Sequence, residues 1–563
     1  MASTRVVLSI GCVLLLPLSG CSCDAGVNPT GGGGSGATSA GGDGGAGATS
    51  FVGGGGSTGS FAQGGSVPVD VCKVNDSGSD NAVTPCVDVA PANSFSPAVQ
   101  WTWTAPPPTQ PDSSYVGSFS TPLVGNLTDD NADGAVDLCD VPDILITSID
   151  SVVFSAAAPT ASARLFMLRG TDGAEETVFS IPVDGLVYGA LGDIDNDGVA
   201  EVLWADTAGH LTAFEADGSV KWTSPQIGNY KGSAGAGWCT TINIYDLDAD
   251  GTPEILFGWE VYDNTGNYLF GTPTNGAEYD YQYWCVTPTA ADLDGDGKLE
   301  VLFGNQTYHA DGTPYWSIAG PPQHPHVANL DADPDPEVFL TSTNGLTVVE
   351  HDGTLKFGPV RPTDPNPAPN CWGKPAVIHD FNGDGKADIA ASTCTDYTMY
   401  SVSDTGVTPV WTSNVSDFSG LATATGFDFL GDGVAEAIYA DETQIYVFDG
   451  ATGEQKLTSP RTSGTLIEYP VVADVDNDGS AEIVYVSNYL SGQPVGPTLT
   501  VLRDAEDRWI PARRIWNQYS YHVTNVREDG TIPQHMKKSW QLLNTFRTNS
   551  QISSEGDCDP VPQ

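Results

Sequence analysis

Positive charge is scarce in this chain. Lysine and arginine number 21 against 71 aspartates and glutamates over 563 residues, a net charge of −50. That balance argues against nucleic acid, whose binders need a basic face. Long apolar runs are scarce too. Beyond residue 18 no stretch approaches the roughly 20 residues of a membrane-spanning helix, which argues against a chain threaded through a bilayer by helices. No Cys-x-x-Cys pair occurs, so zinc binding and thiol redox chemistry lack their usual spacing. There is no Gly-x-Ser-x-Gly elbow between a strand and a helix, no phosphate-binding glycine loop and no His-Glu-x-x-His. The common signatures of acyl transfer, nucleotide binding and metalloprotease chemistry are therefore missing.

Acid is present in an ordered form. In Asp292-Leu-Asp294-Gly-Asp296-Gly297-Lys-Leu-Glu300, three carboxylates alternate, a glycine turns the chain and a fourth carboxylate follows, ahead of the apolar run Val301-Leu302-Phe303. Alternate carboxylates on an extended or gently curled backbone face one way, and with backbone carbonyls and water they form an oxygen cage suited to calcium, which takes six to eight oxygens. The pattern recurs from Asp129, Asp193, Asp246, Asp292, Asn329, Asp380, Asp428 and Asp474, at intervals of 37 to 64 residues. Each loop leads into a short apolar run such as Glu201-Val-Leu-Trp204 or Glu482-Ile-Val-Tyr485, which reads as a strand buried on both faces. A second signature follows, seen in Ala216-Asp217-Gly218-Ser-Val-Lys-Trp222, Ala310-Asp311-Gly312-Thr-Pro-Tyr-Trp316 and His351-Asp352-Gly353-Thr-Leu-Lys-Phe357. Asp-Gly between strands is a hairpin cue. Strand, loop, strand, hairpin and strand make a four-stranded blade, and a period near 49 residues indicates a propeller or solenoid. The expectation is an all-β propeller of seven to eight blades with calcium-binding loops and a short C-terminal cap. Val99-Gln100-Trp101-Thr102-Trp103 resembles the outer-strand signature but precedes the first loop, so it is expected to pair with the last blade and close the ring.

The Asp-x-Asp-x-Asp-Gly-x-x-Glu pattern ahead of an apolar strand resembles the FG-GAP and VCBS repeats of integrin-like β-propellers, over roughly residues 95–510. The resemblance implies calcium between two strands of a blade. Its ligands would be Asp193, Asp195, Asp197 and Glu201; Asp246, Asp248, Asp250 and Glu254; Asp292, Asp294, Asp296 and Glu300; and Asp474, Asp476, Asp478 and Glu482. Asp380, Asn382, Asp384 and Asp388 match with one amide oxygen. Three loops depart. Asn329, Asp331, Asp333 and Glu337 surround Pro334 where the turning glycine should be, and proline cannot take positive φ. The Asp428 loop has Leu430 in place of its third-position oxygen, so weak or no binding is expected there. The first loop, with Asp129, Asn131, Asp133 and Asp137, adds Asp140 at its twelfth position and so also resembles an EF-hand loop, without flanking helices.

The N-terminus reads as a processing signal. Arg5 precedes a short apolar run ending in Leu18-Ser19-Gly20-Cys21, which resembles a bacterial lipobox with Cys21 as the acylated residue. The domain reading is a signal peptide over 1–20, a Gly/Ser/Ala-rich tether over 21–66, a cysteine-containing lead-in over 67–95, the propeller over 96–510 and a cap over 511–563. A flexible tether of about 45 residues spans about 35–40 Å. Localisation is then the bacterial cell envelope, at the outer membrane or cell surface, anchored to the membrane by lipid on Cys21. In an oxidising compartment, the expected disulfides are Cys72–Cys86, Cys239–Cys285 and Cys371–Cys394. The second rests on Cys239 and Cys285 each lying seven residues before a loop. Seven arginines and lysines crowd residues 508–547, in what reads as two short helices or an irregular cap packed on the propeller with its cations facing the acidic loops.

The loops themselves look structural, since their carboxylates would all be spent on the ion. Residues entering the inner strands (Tyr230, Trp238, Tyr279, Asp280, Tyr281, Tyr283, Trp284, Trp372 and Tyr469) suit stacking on sugars or packing between blades. His324-Pro-His326 reads as a surface loop or, less simply, a metal-binding pair. The functional expectation is a binding or adhesion module for an extracellular protein or glycan. The alternative is a calcium-dependent polysaccharide lyase or another carbohydrate-active propeller enzyme.

Overall fold

The computed structural model describes residues 72, 88–107, 117–153, 160–230, 239–272, 285–321, 323–363, 371–417, 422–489 and 496–552. All belong to one compact unit, Pro68–Gln563. Eight sheets, each built on four antiparallel strands, follow one another along the chain, so the number of blades is eight. Numbered in chain order they cover residues 123–178, 190–227, 239–271, 289–317, 324–360, 377–414, 424–460 and 471–504, the last completed by Pro97–Trp103. Among the described residues no helix is long and apolar enough to cross a membrane.

Blade 2 shows how sequence makes a blade. The innermost strand, Ala190–Gly192, and the second, Glu201–Ala205, are wholly buried, while the outermost, Val220–Ile227, is mostly exposed or half-buried. The second strand can be apolar throughout because neighbouring sheets stack on both of its faces, which is why the post-loop runs do not alternate. The blades interlock at their edges. Gly266 of blade 3 adopts φ +84°, and a Cβ there would lie 2.6 Å from the Trp222 ring of blade 2. Trp316 and Trp411 sit in the same way over Gly353 and Gly453 of the blades that follow.

The ring closes as the sequence implied. Pro97–Trp103 pairs antiparallel with Leu499–Asp504, making the fourth strand of blade 8 from the N-terminal side of the chain. Trp101 then covers Gly173 of blade 1 and donates its Nε1–H to the Gly170 carbonyl at 2.7 Å. Closure leaves no inner or outer sheet waiting for a missing neighbour.

Two of the three expected disulfides form. Cys239 and Cys285 are register partners in a short parallel pairing beside the inner strand of blade 3, with Cα atoms 4.4 Å apart, and Cys371 bonds Cys394. The third pairing is corrected. Cys72 bonds Cys139, at the end of the first acidic loop, and not Cys86, which lies outside the described residues. Proximity in sequence favoured Cys86, but the Leu138 N–H to Cys72 carbonyl hydrogen bond brings the lead-in alongside the loop of blade 1.

The C-terminal segment has little regular structure, a 3-10 turn at Val523–Asn525 and a short helix at Ser539–Leu542. It meets the inner side of every blade. Trp516 exchanges backbone hydrogen bonds with Val124 of blade 1, and Leu191 of blade 2 donates to the Asn517 carbonyl. Gln518 accepts from Ile244 of blade 3, and Ser520 donates to Pro288 at the entry to blade 4. Asn544 brackets Asn329 beyond the inner strand of blade 5, and Phe546 exchanges backbone bonds with Ile378 of blade 6. Thr425 of blade 7 donates to the Arg547 carbonyl, and Asn549 donates to Val472 of blade 8. Buried polar backbone must find partners, and this segment is satisfied by the inner strands it touches. Two of its cations are interior. Arg547 is fully buried, its guanidinium 4.8 Å from the Tyr519 ring centroid and bonded to the Ala376 carbonyl. Arg513 binds Tyr521 and two carbonyls. Two others do reach acidic loops: Lys538 pairs with Asp292 at 3.1 Å, and Arg514 donates to Asn477.

Candidate metal centres in the strand-linking loops

Every acidic loop joins the innermost strand of a blade to the second. In blade 2, Asp193 follows the inner strand and accepts the N–H groups of Asp197 and Gly198 at 3.1 and 2.9 Å. Asp197 in turn accepts from Val199, and Glu201, opening the second strand, accepts the Ile194 N–H at 2.9 Å through Oε2. These bonds curl the loop inward. Gly198 lies at φ +92° with nothing near its absent Cβ, so glycine is needed there for conformation and not for space. Ligand atoms of Asp193, Asp195 and Asp197 come within 4.8 Å of one another, as do those of Asp246, Asp248 and Asp250, and of Asp292, Asp294 and Asp296.

The final glutamate is held alike in blades 2, 3, 4, 5, 7 and 8. Glu201, Glu254, Glu300, Glu337, Glu436 and Glu482 each accept the N–H of the residue after the first loop position through Oε2. What the other oxygen meets differs. Lys221 Nζ lies 2.8 Å from Glu201 Oε1, 2.7 Å from Asp195 and 3.1 Å from Glu215. Lys356 Nζ contacts Glu337 at 2.9 Å, Glu350 at 3.1 Å and also Asp331. Lys456 Nζ contacts Glu436 at 2.7 Å and Asp449 at 3.2 Å. In blade 4 the partner of Glu300 Oε1 is His309 Nδ1, at 3.0 Å.

Blade 8 has no such cation. Asp474 and Glu482 are 2% and 0% exposed, yet Asp474 Oδ1 and Glu482 Oε1 have no hydrogen-bond partner among the described residues. Burial, reinforced by Asp476 and Asp478, pushes the Asp474 carboxyl up to about 7 and Glu482 well above the usual range. Asp388 Oδ2 and Asn382 Oδ1 are left unpartnered in blade 6, and Asp248 Oδ1 in blade 3. In blade 3, burial and the carboxylates around it push Glu254 up to about 8. Orphaned buried oxygens converging in an acidic loop fit a cation: burying several unpaired carboxylates is unfavourable unless a positive charge joins them.

The departing loops depart in structure too. Pro334 has no N–H to offer, and Asn329 instead donates its side-chain amide to the Asp333 carbonyl. In blade 1 the inner strand Leu123–Gly125 ends before Asn126, and it is Asp143 that opens the second strand and accepts the Leu127 N–H, as Glu201 accepts from Ile194. The stretch from Asp129 to Asp140 is thus an insertion with its own fold. Asp129 accepts from Asp133 and Gly134, Asp137 accepts from Cys139, and Asp140 accepts from Asn131 and Asp137. Burial and the neighbouring Glu176 carboxylate push the Asp143 carboxyl well up.

Among the inner-strand aromatics in the described region, Tyr230, Trp372 and Tyr469 are buried. Tyr230 donates to Asp184 and packs on Phe257, so these are packing residues. Trp238, Tyr279, Asp280, Tyr281, Tyr283 and Trp284 lie outside the described residues. The two histidines are corrected: His324–Ala328 is the wholly buried inner strand of blade 5. His326 uses one ring nitrogen on the Phe339 carbonyl and the other on the Ala376 N–H and Arg547, leaving none for a metal. A groove with aromatic walls lies elsewhere. A groove of about 830 Å³ on blade 4 is lined by Tyr308, Tyr315 and Trp316 with Asn305, Gln306 and Thr307. Its signal was the Tyr315-Trp316 pair after the Asp311-Gly312 turn.

With this fold and these loops, the chain is an eight-bladed propeller, and its residues 153–257 and 329–391 match the FG-GAP-like repeat family. Among solved structures it is similar to the biofilm matrix protein Bap1 of V. cholerae, at 21% identity and TM-score 0.66, covering 84% of this chain and 100% of that one. It is also similar to the rhamnogalacturonan lyase YesW, at 17% identity and TM-score 0.49 over 81% and 82% of the two chains. A Bacillus licheniformis rhamnogalacturonan lyase scores 18% and 0.49 over 82% and 83%. No curated protein matches the chain.

Proposed function

We propose that the chain is a calcium-stabilised binding module on a bacterial cell surface, held by lipid on Cys21 and recognising an extracellular glycan through the groove of blade 4. The groove carries the reading. Tyr308, Tyr315 and Trp316 supply aromatic surface, and Asn305 and Gln306 supply the amide groups that orient a polar ligand, the combination expected of a carbohydrate site. Calcium is supported by the orphaned carboxylate oxygens of blades 6 and 8. Asp380, Asn382, Asp384 and Asp388 would hold the ion in blade 6, and Asp474, Asp476, Asp478 and Glu482 in blade 8, where it offsets the repulsion of buried acids and fixes the turn. A surface role agrees with Bap1, a biofilm matrix protein that shares the fold.

Titration of the mature protein with polysaccharides of differing charge tests this. Binding is expected to weaken at least about tenfold in Tyr315→Ala, with an unchanged melting curve, because one stacking partner is lost. Binding unaffected by Tyr315→Ala would remove the groove from the account. Release of unsaturated products from pectic polysaccharides would place the chain among the lyases instead.

A further inference from the structure

The lysines that fill three of the loops come from one position in the blade, and the strand register shows why. In all eight blades the outermost strand carries a one-residue irregularity at the same height. In blade 2, Ala213 faces Trp222 and Phe214 faces Val220, so Lys221 is the extra residue. The corresponding residue is Leu269 in blade 3, Tyr315 in blade 4 and Lys356 in blade 5. It is Val410 in blade 6, Lys456 in blade 7, Gln100 in the strand that completes blade 8, and Glu176 in blade 1. A bulge re-aims the side chain it carries. Here a long enough side chain reaches over the blade's third strand to the loop: Lys221 to Asp195 at 2.7 Å, and Gln100 to the equivalent Asp476 at 2.6 Å.

We propose that in blades 2, 3, 5, 6, 7 and 8 the bulged residue of the outermost strand decides which cation the loop holds. A lysine ammonium is the resident cation of blades 2, 5 and 7, while blades 3, 6 and 8, bulged at Leu269, Val410 and Gln100, leave their loops to a divalent ion. The distinction is drawn at one atom. Glu201, Glu337 and Glu436 all present Oε1 to a lysine, and the same atom of Glu482, in a fully buried side chain, meets nothing. Asp388 Oδ2, of a side chain 1% exposed, is orphaned in the same way. An ammonium and a divalent ion sharing those carboxylates would repel each other at close range. Blade 2 is the informative case. Its acids are complete, so the loop alone assigns it a metal, whereas the bulge assigns it a lysine. Blades 5 and 7, whose loops carry Pro334 and Leu430, combine a weakened cage with a lysine.

This inference rests on the calcium reading above, and counting bound calcium separates the two. Elemental analysis after equilibrium dialysis against calcium is compared for the mature protein and three variants. Lys221→Met is expected to gain one calcium per chain. Gln100→Lys is expected to lose one, by carrying an ammonium to the loop of blade 8, and Glu482→Gln to lose the same one. If Glu482→Gln loses a calcium while Lys221→Met and Gln100→Lys both keep the wild-type count, the bulge does not select the cation and the calcium reading stands. If the wild-type protein binds no calcium, the reading beneath the inference fails. Should Lys221→Met not fold, Gln100→Lys alone decides, since the half-buried Gln100 already touches Asp476.

Discussion

The loops of blades 2 and 8 share a sequence pattern, a turning glycine and a glutamate anchored through the same oxygen, yet they solve the problem of buried acid differently. In blade 2 the charge is balanced inside the chain, by Lys221 among Asp195, Glu201 and Glu215. Even so, burial holds Glu201 up at about 7. In blade 8 no cation among the described residues bonds Asp474 Oδ1 or Glu482 Oε1, and on the proposed reading an ion from outside joins them. On that reading one blade folds on its own resources and the other is linked to the ion content of its surroundings. A repeated motif does not by itself fix how its charge is balanced; the side chain delivered from the outermost strand enters the balance too.

The comparison can be broken most easily by chelation. A site at a thousandfold excess of ion over Kd contributes about 4 kcal/mol, and in a chain of this length each kcal/mol moves Tm by about 1 °C. With three open loops, chelator is expected to lower Tm by about 10 °C; an unchanged melting curve would leave blade 8 no different from blade 2.

A pH series in chelator sharpens the contrast. Burial and mutual repulsion raise Asp474 to about 7 and Asp478 to about 6 in the folded chain. Between about pH 4 and 7 the unfolded chain then releases protons that the folded chain keeps, so stability falls as pH rises through that window. The metal-free protein is expected to melt several degrees higher at pH 5 than at pH 7.5, and calcium to remove most of that difference. Equal melting temperatures at the two pH values in chelator would contradict it.

Single substitutions give the smaller effects. Asp474→Asn is expected to cost about 4 °C in calcium, one site's contribution, and little in chelator. Asp195→Asn, which removes one partner of Lys221, is expected to cost only about 1 °C, equally with and without calcium, as a partly exposed ion pair should. Calcium-dependent loss at Asp195 would reverse the assignment of the two blades.

Much of this architecture was legible in the sequence. The recurring acids, the buried post-loop strands, the closing strand with Trp101 and Trp103 and the Cys239–Cys285 pairing all follow from period and spacing. The count of eight needed strand pairing, because blade 1 carries an inserted loop that hides its true second-strand acid, Asp143. Lys221, Lys356 and Lys456 stood in plain view three residues after each turning glycine, but where they point depends on a one-residue bulge that an alternation pattern does not carry. Arg547 and Arg513 read as cations facing the acidic loops, since a buried guanidinium is recognised only from its partners, here the Tyr519 and Tyr521 side chains and nearby backbone carbonyls. The Cys72–Cys139 pairing is set by long-range contact, which local spacing does not report.

The most direct test of the central claim is a crystal of the mature protein grown in calcium, with anomalous scattering recorded at a wavelength where calcium contributes. The account predicts peaks beside Asp474, Asp380 and Asp246 and none beside Asp193, Asn329 or Asp428. A peak within the carboxylates that hold Lys221, or no peak beside Asp474 and Glu482, would contradict it.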